Sequence, residues 1–205
     1  MLTRRPFAAA AVIAALALAG CVKTAGSAGE AGPDDMSLGN PNARVKVVEY
    51  ASASCPHCAT FALEVFPAFK AKYVDTGKAS FTLKEYLTDP QVLAAGGFLL
   101  ARCAGKDRYF PVLEAVFQAQ NEMMQSGDYR TGLSRIARDP GGLTDAQFEA
   151  CMNNVAAEKD LAARVNRHVK EDKIEATPTF VINGKRFEGA MTMPELDAAI
   201  AKAEG

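Results

Sequence analysis

Val45-Lys46-Val47-Val48-Glu49-Tyr50, the spacer Ala51-Ser52-Ala53-Ser54, and then Cys55-Pro56-His57-Cys58 make up the most informative stretch of the chain. The first six residues have the apolar, β-branched character of a strand, and the cysteines open a helical pattern that continues through Phe61, Val65 and Phe69. A thiol at a helix start faces unpaired backbone N–H groups and the positive end of the helix dipole, so its thiolate is favoured and its pKa falls. Two intervening residues leave Cys55 at the helix tip and set Cys58 one turn in, close enough to form a small disulfide ring. On this reading Cys55 attacks and Cys58 resolves. Pro56 suits the first helical turn, where its missing N–H is not needed, and a protonated His57 would add positive charge beside the thiolate.

Three other uses of such a pair are a zinc half-site, a haem attachment site and a plain structural disulfide. Zinc needs two further ligands, usually as a second close pair, but Cys103, Cys151 and His168 each stand alone. Haem attachment needs His after the second cysteine, where this chain has Ala59. The redox reading fits the strand and helix context; no metal and no organic cofactor is expected. Glu49, six positions before Cys55, is the odd residue of its strand, because alternation places it with Val45 and Val47 on one of two apolar faces. It either exchanges protons with the Cys58 thiol from beneath, or ends the strand and reaches solvent.

The N-terminus reads as a targeting segment: Arg4 and Arg5, an apolar run from Phe7 to Leu18, and small residues before Cys21. Leu18-Ala19-Gly20-Cys21 resembles the lipobox of bacterial lipoproteins, in which the cysteine is lipidated and becomes the mature N-terminus. Thr3-Arg4-Arg5-Pro6-Phe7 is also similar to a twin-arginine signal, so the export route stays open. Loss of residues 1–20 leaves 21 Lys and Arg against 24 Asp and Glu, a net charge of about −3 that gives no reason to expect nucleic acid. Residues 21–40, rich in Gly, Ala, Ser and Pro, read as a lipidated flexible tether without the heptads of a dimerisation stalk, so the protein is expected to be a monomer.

Downstream, a second strand is predicted over about Ala79 to Tyr86. Helices are predicted over Val92 to Ala104, Tyr109 to Gln120, Tyr129 to Ala137, Thr144 to Met152 and Ala156 to Lys170. Pro67 predicts a kink in the first helix. Thr144 with Gln147, and Thr192 with Glu195, fit capping boxes. Leu161, Val165 and Val169 make an apolar stripe, and His168 beside it reads as a surface residue. Thr179 to Ile182 and Lys185 to Glu188 flank Asn183-Gly184, a hairpin signal, and a last helix buries Leu196 and Ile200.

With Ala176-Thr177-Pro178-Thr179-Phe180 ahead of that hairpin, residues 43 to 203 resemble the DsbA-like thiol:disulfide oxidoreductases of the thioredoxin superfamily. The resemblance rests on Cys55-Pro56-His57-Cys58, on Glu49 six residues upstream, on Thr177-Pro178 before a hairpin, and on a helical block between two halves. It implies an α/β thioredoxin-like fold with an inserted helical domain: residues 41–89 as the first thioredoxin-like part, 90–172 as the insertion and 173–205 as the second part. Pro178 would be cis and lie against the Cys55-Cys58 pair, leaving the Thr177 backbone free to pair with a substrate strand. The implied activity is a dithiol oxidase acting on reduced or unfolded exported proteins at the periplasmic side of a bacterial membrane. A quinone-linked membrane oxidase of the DsbB type would reoxidise it.

Thr177 before the proline is equally at home in isomerases and reductases, so the direction of exchange stays open. A peptide-binding, chaperone-like module with a purely structural disulfide is the competing reading from another class. Cys103 and Cys151 are left over in an oxidising compartment, and some DsbA-like proteins carry a second disulfide in the helical block. Paired, they would close a loop worth roughly 4 kcal/mol in the chain-entropy model; unpaired, they would be small buried apolar side chains.

Overall fold

The structure is a computed structural model and describes residues 29–205. The targeting segment, Cys21 and the first residues of the tether lie outside the described residues. Chain order runs through β1 (Met36–Gly39), β2 (Val45–Ala51), α1 (Pro56–Thr60), α2 (Phe66–Phe69), β3 (Ala79–Glu85), α3 (Gln91–Cys103), α4 (Lys106–Ser126), α5 (Tyr129–Arg138), α6 (Asp145–Met152) and α7 (Val155–Lys170). It ends with β4 (Thr179–Ile182), β5 (Lys185–Glu188) and α8 (Met193–Glu204). The five strands form one mixed sheet in the order β1-β3-β2-β4-β5, with β2 and β3 parallel and the other neighbours antiparallel. An α/β thioredoxin-like fold carrying a helical insertion, α3 to α7, is therefore the architecture observed.

β2 is central and covered on both sides. Val45, Val47 and Ala51 face the main core with Phe81, Phe180 and Ile182, whereas Val48, Tyr50, Val181 and Ile174 make a smaller cluster on the other face. Asn183 and Gly184 both have positive φ, 44° and 82°, as the tight turn between β4 and β5 requires. Both capping boxes, Thr144 with Gln147 and Thr192 with Glu195, are present. Beside Pro67 the helix does not simply kink. A π-helical stretch, Phe61–Val65, precedes α2 and another, Lys70–Val74, follows it, which re-registers the hydrogen-bond ladder around a residue that lacks an N–H.

Three expectations need correction. The tether does not extend to residue 40, because Met36–Gly39 forms an edge strand against β3 with Met36 buried. Four residues with one buried side chain carry too little alternation to stand out. In α7 the buried line is Leu161, Arg164 and His168, while Val169 of the expected stripe is exposed. His168 is accordingly no surface residue. It is 4% exposed, its Nδ1 lies 2.7 Å from the Glu85 carbonyl oxygen, and its Nε2 lies 3.8 Å from Asp35. Polar groups occupy the α7 interface because β3 ends there in Lys84 and Glu85. Lys84 pairs with Asp172 at 3.0 Å, and Glu85 accepts from Arg102 at 2.5 Å and from Arg164 at 2.8 Å. Buried charges are tolerated when each finds such a partner.

Candidate active site

Cys55 is the N-cap of α1, with extended backbone (φ −82°, ψ 118°), and Pro56 follows in the first turn. The cap cysteine thus sits against the free N–H groups of His57 and Cys58, while Cys58 lies completely buried one turn inside. The Cys55 Sγ–H donates to the Thr177 carbonyl oxygen at 3.4 Å, across a Thr177-Pro178 peptide bond that is cis. The Thr177 hydroxyl is buried and has no partner in this thiol form, which leaves it ready to donate to a thiolate. His57 is exposed on the outer side of the helix start.

The two thiols are driven in opposite directions. A hydrogen bond from the Cys58 thiol is the largest influence on Cys55; burial opposes it, but donors at Thr177, Cys58 N and His57 N add to it and lower the Cys55 pKa to about 5. Burial pushes the Cys58 thiol well above its ordinary value, and the neighbouring Cys55 and Glu49 push it the same way. Glu49 is 3% exposed and stands in register between Leu83 on β3 and Phe180 on β4. That apolar setting raises its carboxyl pKa well above the usual range, with the charge on Cys55 adding to the effect. Glu49 therefore points into the core behind the cysteines and does not end the strand in solvent.

The loop carrying Cys55 is held by residues with no recognisable motif. Gln120 of α4 donates from Nε2 to the carbonyl oxygens of Ala53 at 2.9 Å and Cys55 at 3.3 Å. Ser52 accepts from the Thr88 backbone N–H at 3.1 Å, and Ser54 donates to the Thr88 carbonyl at 2.9 Å. Gln120 is one glutamine in a polar helix pattern, so only its burial at 4% marks it out. Away from this loop, Cys103 and Cys151 form a disulfide with their Cα atoms 6.2 Å apart. Among the described residues no three of His, Cys, Asp and Glu converge as a metal site.

The site is thus a dithiol at a helix cap, opposite a cis-proline and over a five-stranded mixed sheet. A family model described as Thioredoxin matches residues 31–202. The chain belongs to the thioredoxin family. One relative in that family, a Rickettsia bellii protein provisionally named protein-disulfide oxidoreductase, is 34% identical over 171 residues, covering 83% of this chain. This chain spans only 64% of that relative's length. The crystal structure of Wolbachia pipientis alpha-DsbA1 is 27% identical, with a TM-score of 0.77 over 84% of this chain and 92% of its own. Disulfide bond formation protein D of Bacillus subtilis is 25% identical over 180 residues, 80% of this chain and 75% of that protein.

Proposed function

We propose that this thioredoxin-family protein is a protein-disulfide oxidoreductase that introduces disulfides into exported proteins. The observation that carries the reading is the cap geometry: Cys55 sits at the N-cap of α1 against the cis Thr177-Pro178 bond, where its pKa is lowered to about 5, whereas burial one turn inside pushes the Cys58 thiol up. Favouring the Cys55 thiolate favours the reduced form, which makes the Cys55-Cys58 disulfide an oxidant. The two pH units between 5 and 7 correspond to about 2.7 kcal/mol, or roughly 60 mV, before solvent screening of a partly accessible sulfur reduces it.

In the forward reaction a substrate thiolate attacks Cys55 Sγ of the disulfide. The Cys55–Cys58 bond breaks, a mixed disulfide forms, and the electron pair leaves on Cys58. Glu49, whose burial favours the protonated carboxyl, supplies the proton that returns Cys58 to the thiol and takes it back when Cys58 is reoxidised. A second substrate thiolate then attacks the substrate sulfur of the mixed disulfide and expels Cys55 as its stabilised thiolate. The substrate leaves with a disulfide and the enzyme leaves with a dithiol. Pro56 fixes the cap geometry, His57 lends its backbone N–H to Cys55, and Thr177 with Pro178 offers backbone to the substrate strand. A quinone-linked, DsbB-type membrane oxidase is the proposed electron acceptor that restores the disulfide.

Purified protein is expected to reoxidise a reduced model substrate, and Cys55→Ser to abolish this. Full activity in that variant would end the enzymatic reading. The proposed location is the periplasmic side of a bacterial membrane, with a lipid on Cys21 as the anchor. No helix among the described residues is long and apolar enough to cross a membrane. Cys21→Ser is expected to release the protein from the membrane fraction; retention there would assign the attachment to something else.

A further inference from the structure

Glu49 also lines a cleft of about 310 Å³ whose walls do not include the cysteines. Phe66 from α2, Phe81 from β3, and Phe110 and Phe117 from α4 line it, with Leu38 of β1 and Ala62 along its edge. Phe66 and Phe110 flank Phe81, with ring centroids 4.6 Å and 6.1 Å from it. Glu49 reaches the cleft from β2 and accepts no hydrogen bond from any described residue, although it is 97% buried. Asp107 and Glu114, both exposed on α4, stand at the rim together with Lys70, whose ammonium is already committed to Asp75 at 2.6 Å. Clustered aromatic rings beside a carboxyl group that no cation pairs are the chemistry that recognises organic cations: ring faces attract positive charge, and a buried carboxylate completes the pairing.

We propose that this cleft is a binding site for a small organic monocation with an aromatic or branched aliphatic body, its charged head on Glu49 and its body among Phe66, Phe81 and Phe110. Acidic rim groups draw the cation in, and the apolar walls account for its body. Glu49 must be ionised to form the pair, so affinity rises with pH as this carboxyl loses its proton. The groups facing it are Cys55 and Cys58 from the α1 side, Lys70 beyond α2, and Asp107 and Glu114 from α4. Resting on the function proposed above, a cation seated here favours the Glu49 carboxylate, the form that takes a proton from Cys58 and not the form that gives one. Occupancy of the cleft would then tune the redox pair from behind.

Benzyltrimethylammonium is a suitable probe because its charge does not titrate, and neopentylbenzene is its uncharged isostere. Binding to the intact folded domain is followed by calorimetry or by chemical-shift changes across pH 5 to 9. The cation is expected to bind the wild type with an affinity that increases with pH. Glu49→Gln is expected to bind it about tenfold more weakly and without pH dependence. Ala62→Phe, which fills the cleft and leaves the carboxyl in place, is expected to abolish binding of both probes. Equal affinity for the cation and its isostere, equal affinity in Glu49→Gln, or unchanged binding in Ala62→Phe would overturn the site. Because binding is read without turnover, a failed oxidase assay would count against the function above and leave this result standing.

Discussion

Cys55 and Cys58 are three residues apart, yet one helix cap separates their chemistry. Cys55 meets the backbone N–H groups of His57 and Cys58, and Cys58 meets a core in which an anion is disfavoured. Glu49 shares that core, and its raised pKa has a stability consequence whose sign is fixed. A carboxyl that holds its proton more tightly in the folded state than in the unfolded chain contributes no penalty below the unfolded value near 4.5, and costs stability as pH rises above it. Glu49→Gln is therefore expected to stabilise the reduced protein at pH 7, by about 1.4 kcal/mol for each pH unit over which the folded carboxyl keeps a proton that the unfolded one has lost, while slowing disulfide exchange. Thermal melts at pH 4 and pH 7 check this: the gain should be present at pH 7 and nearly gone at pH 4, and a destabilised variant at pH 7 would contradict it. The position of Glu49 was legible because a carboxylate interrupts an alternating apolar strand. His168 was not, because its partners Glu85 and Asp35 lie 83 and 133 positions away in sequence, and only the fold brings α7 across the end of β3.

At the scale of elements, the helical block is joined to itself covalently and to the loop bearing Cys55 by hydrogen bonds. The Cys103–Cys151 bond ties the last residue of α3 to the end of α6 across 48 positions. Replacing both cysteines by serine is expected to lower stability by about 2 to 4 kcal/mol, with activity per folded molecule unchanged. Denaturant unfolding beside a turnover assay tests the pair of statements, and a loss of activity in fully folded protein would assign the bond a redox role. Helix existence was legible throughout this block from periodicity and caps, whereas ends were not. α4 runs from Lys106 to Ser126, well past the Tyr109 to Gln120 expected for it, and stops where Gly127 takes a left-handed conformation with φ of 72°. β1 was missed because an edge strand needs only one buried side chain and a partner's free backbone. Gln120 was missed because its role depends on the meeting of α4 with the loop before α1.

For the whole molecule, the sheet presents the C-terminal end of β2 and the turn before β4 at the same end, so that residues 122 positions apart, Cys55 and Thr177, touch there. The fold class was readable because the cysteine motif, the proline and the hairpin occur in an order that few architectures use. The direction of electron flow was not readable, since Thr177 suits oxidases, reductases and isomerases alike; the proposed direction instead follows from what surrounds Cys55. The most direct test is the reduction potential of the Cys55-Cys58 couple, measured by equilibration with glutathione at pH 7. With the Cys55 pKa lowered to about 5 and the Cys58 thiol pushed up, the account expects a potential above about −180 mV, more oxidising than that of protein disulfide isomerase. A potential near −270 mV, where thioredoxin works as a reductant, would contradict it.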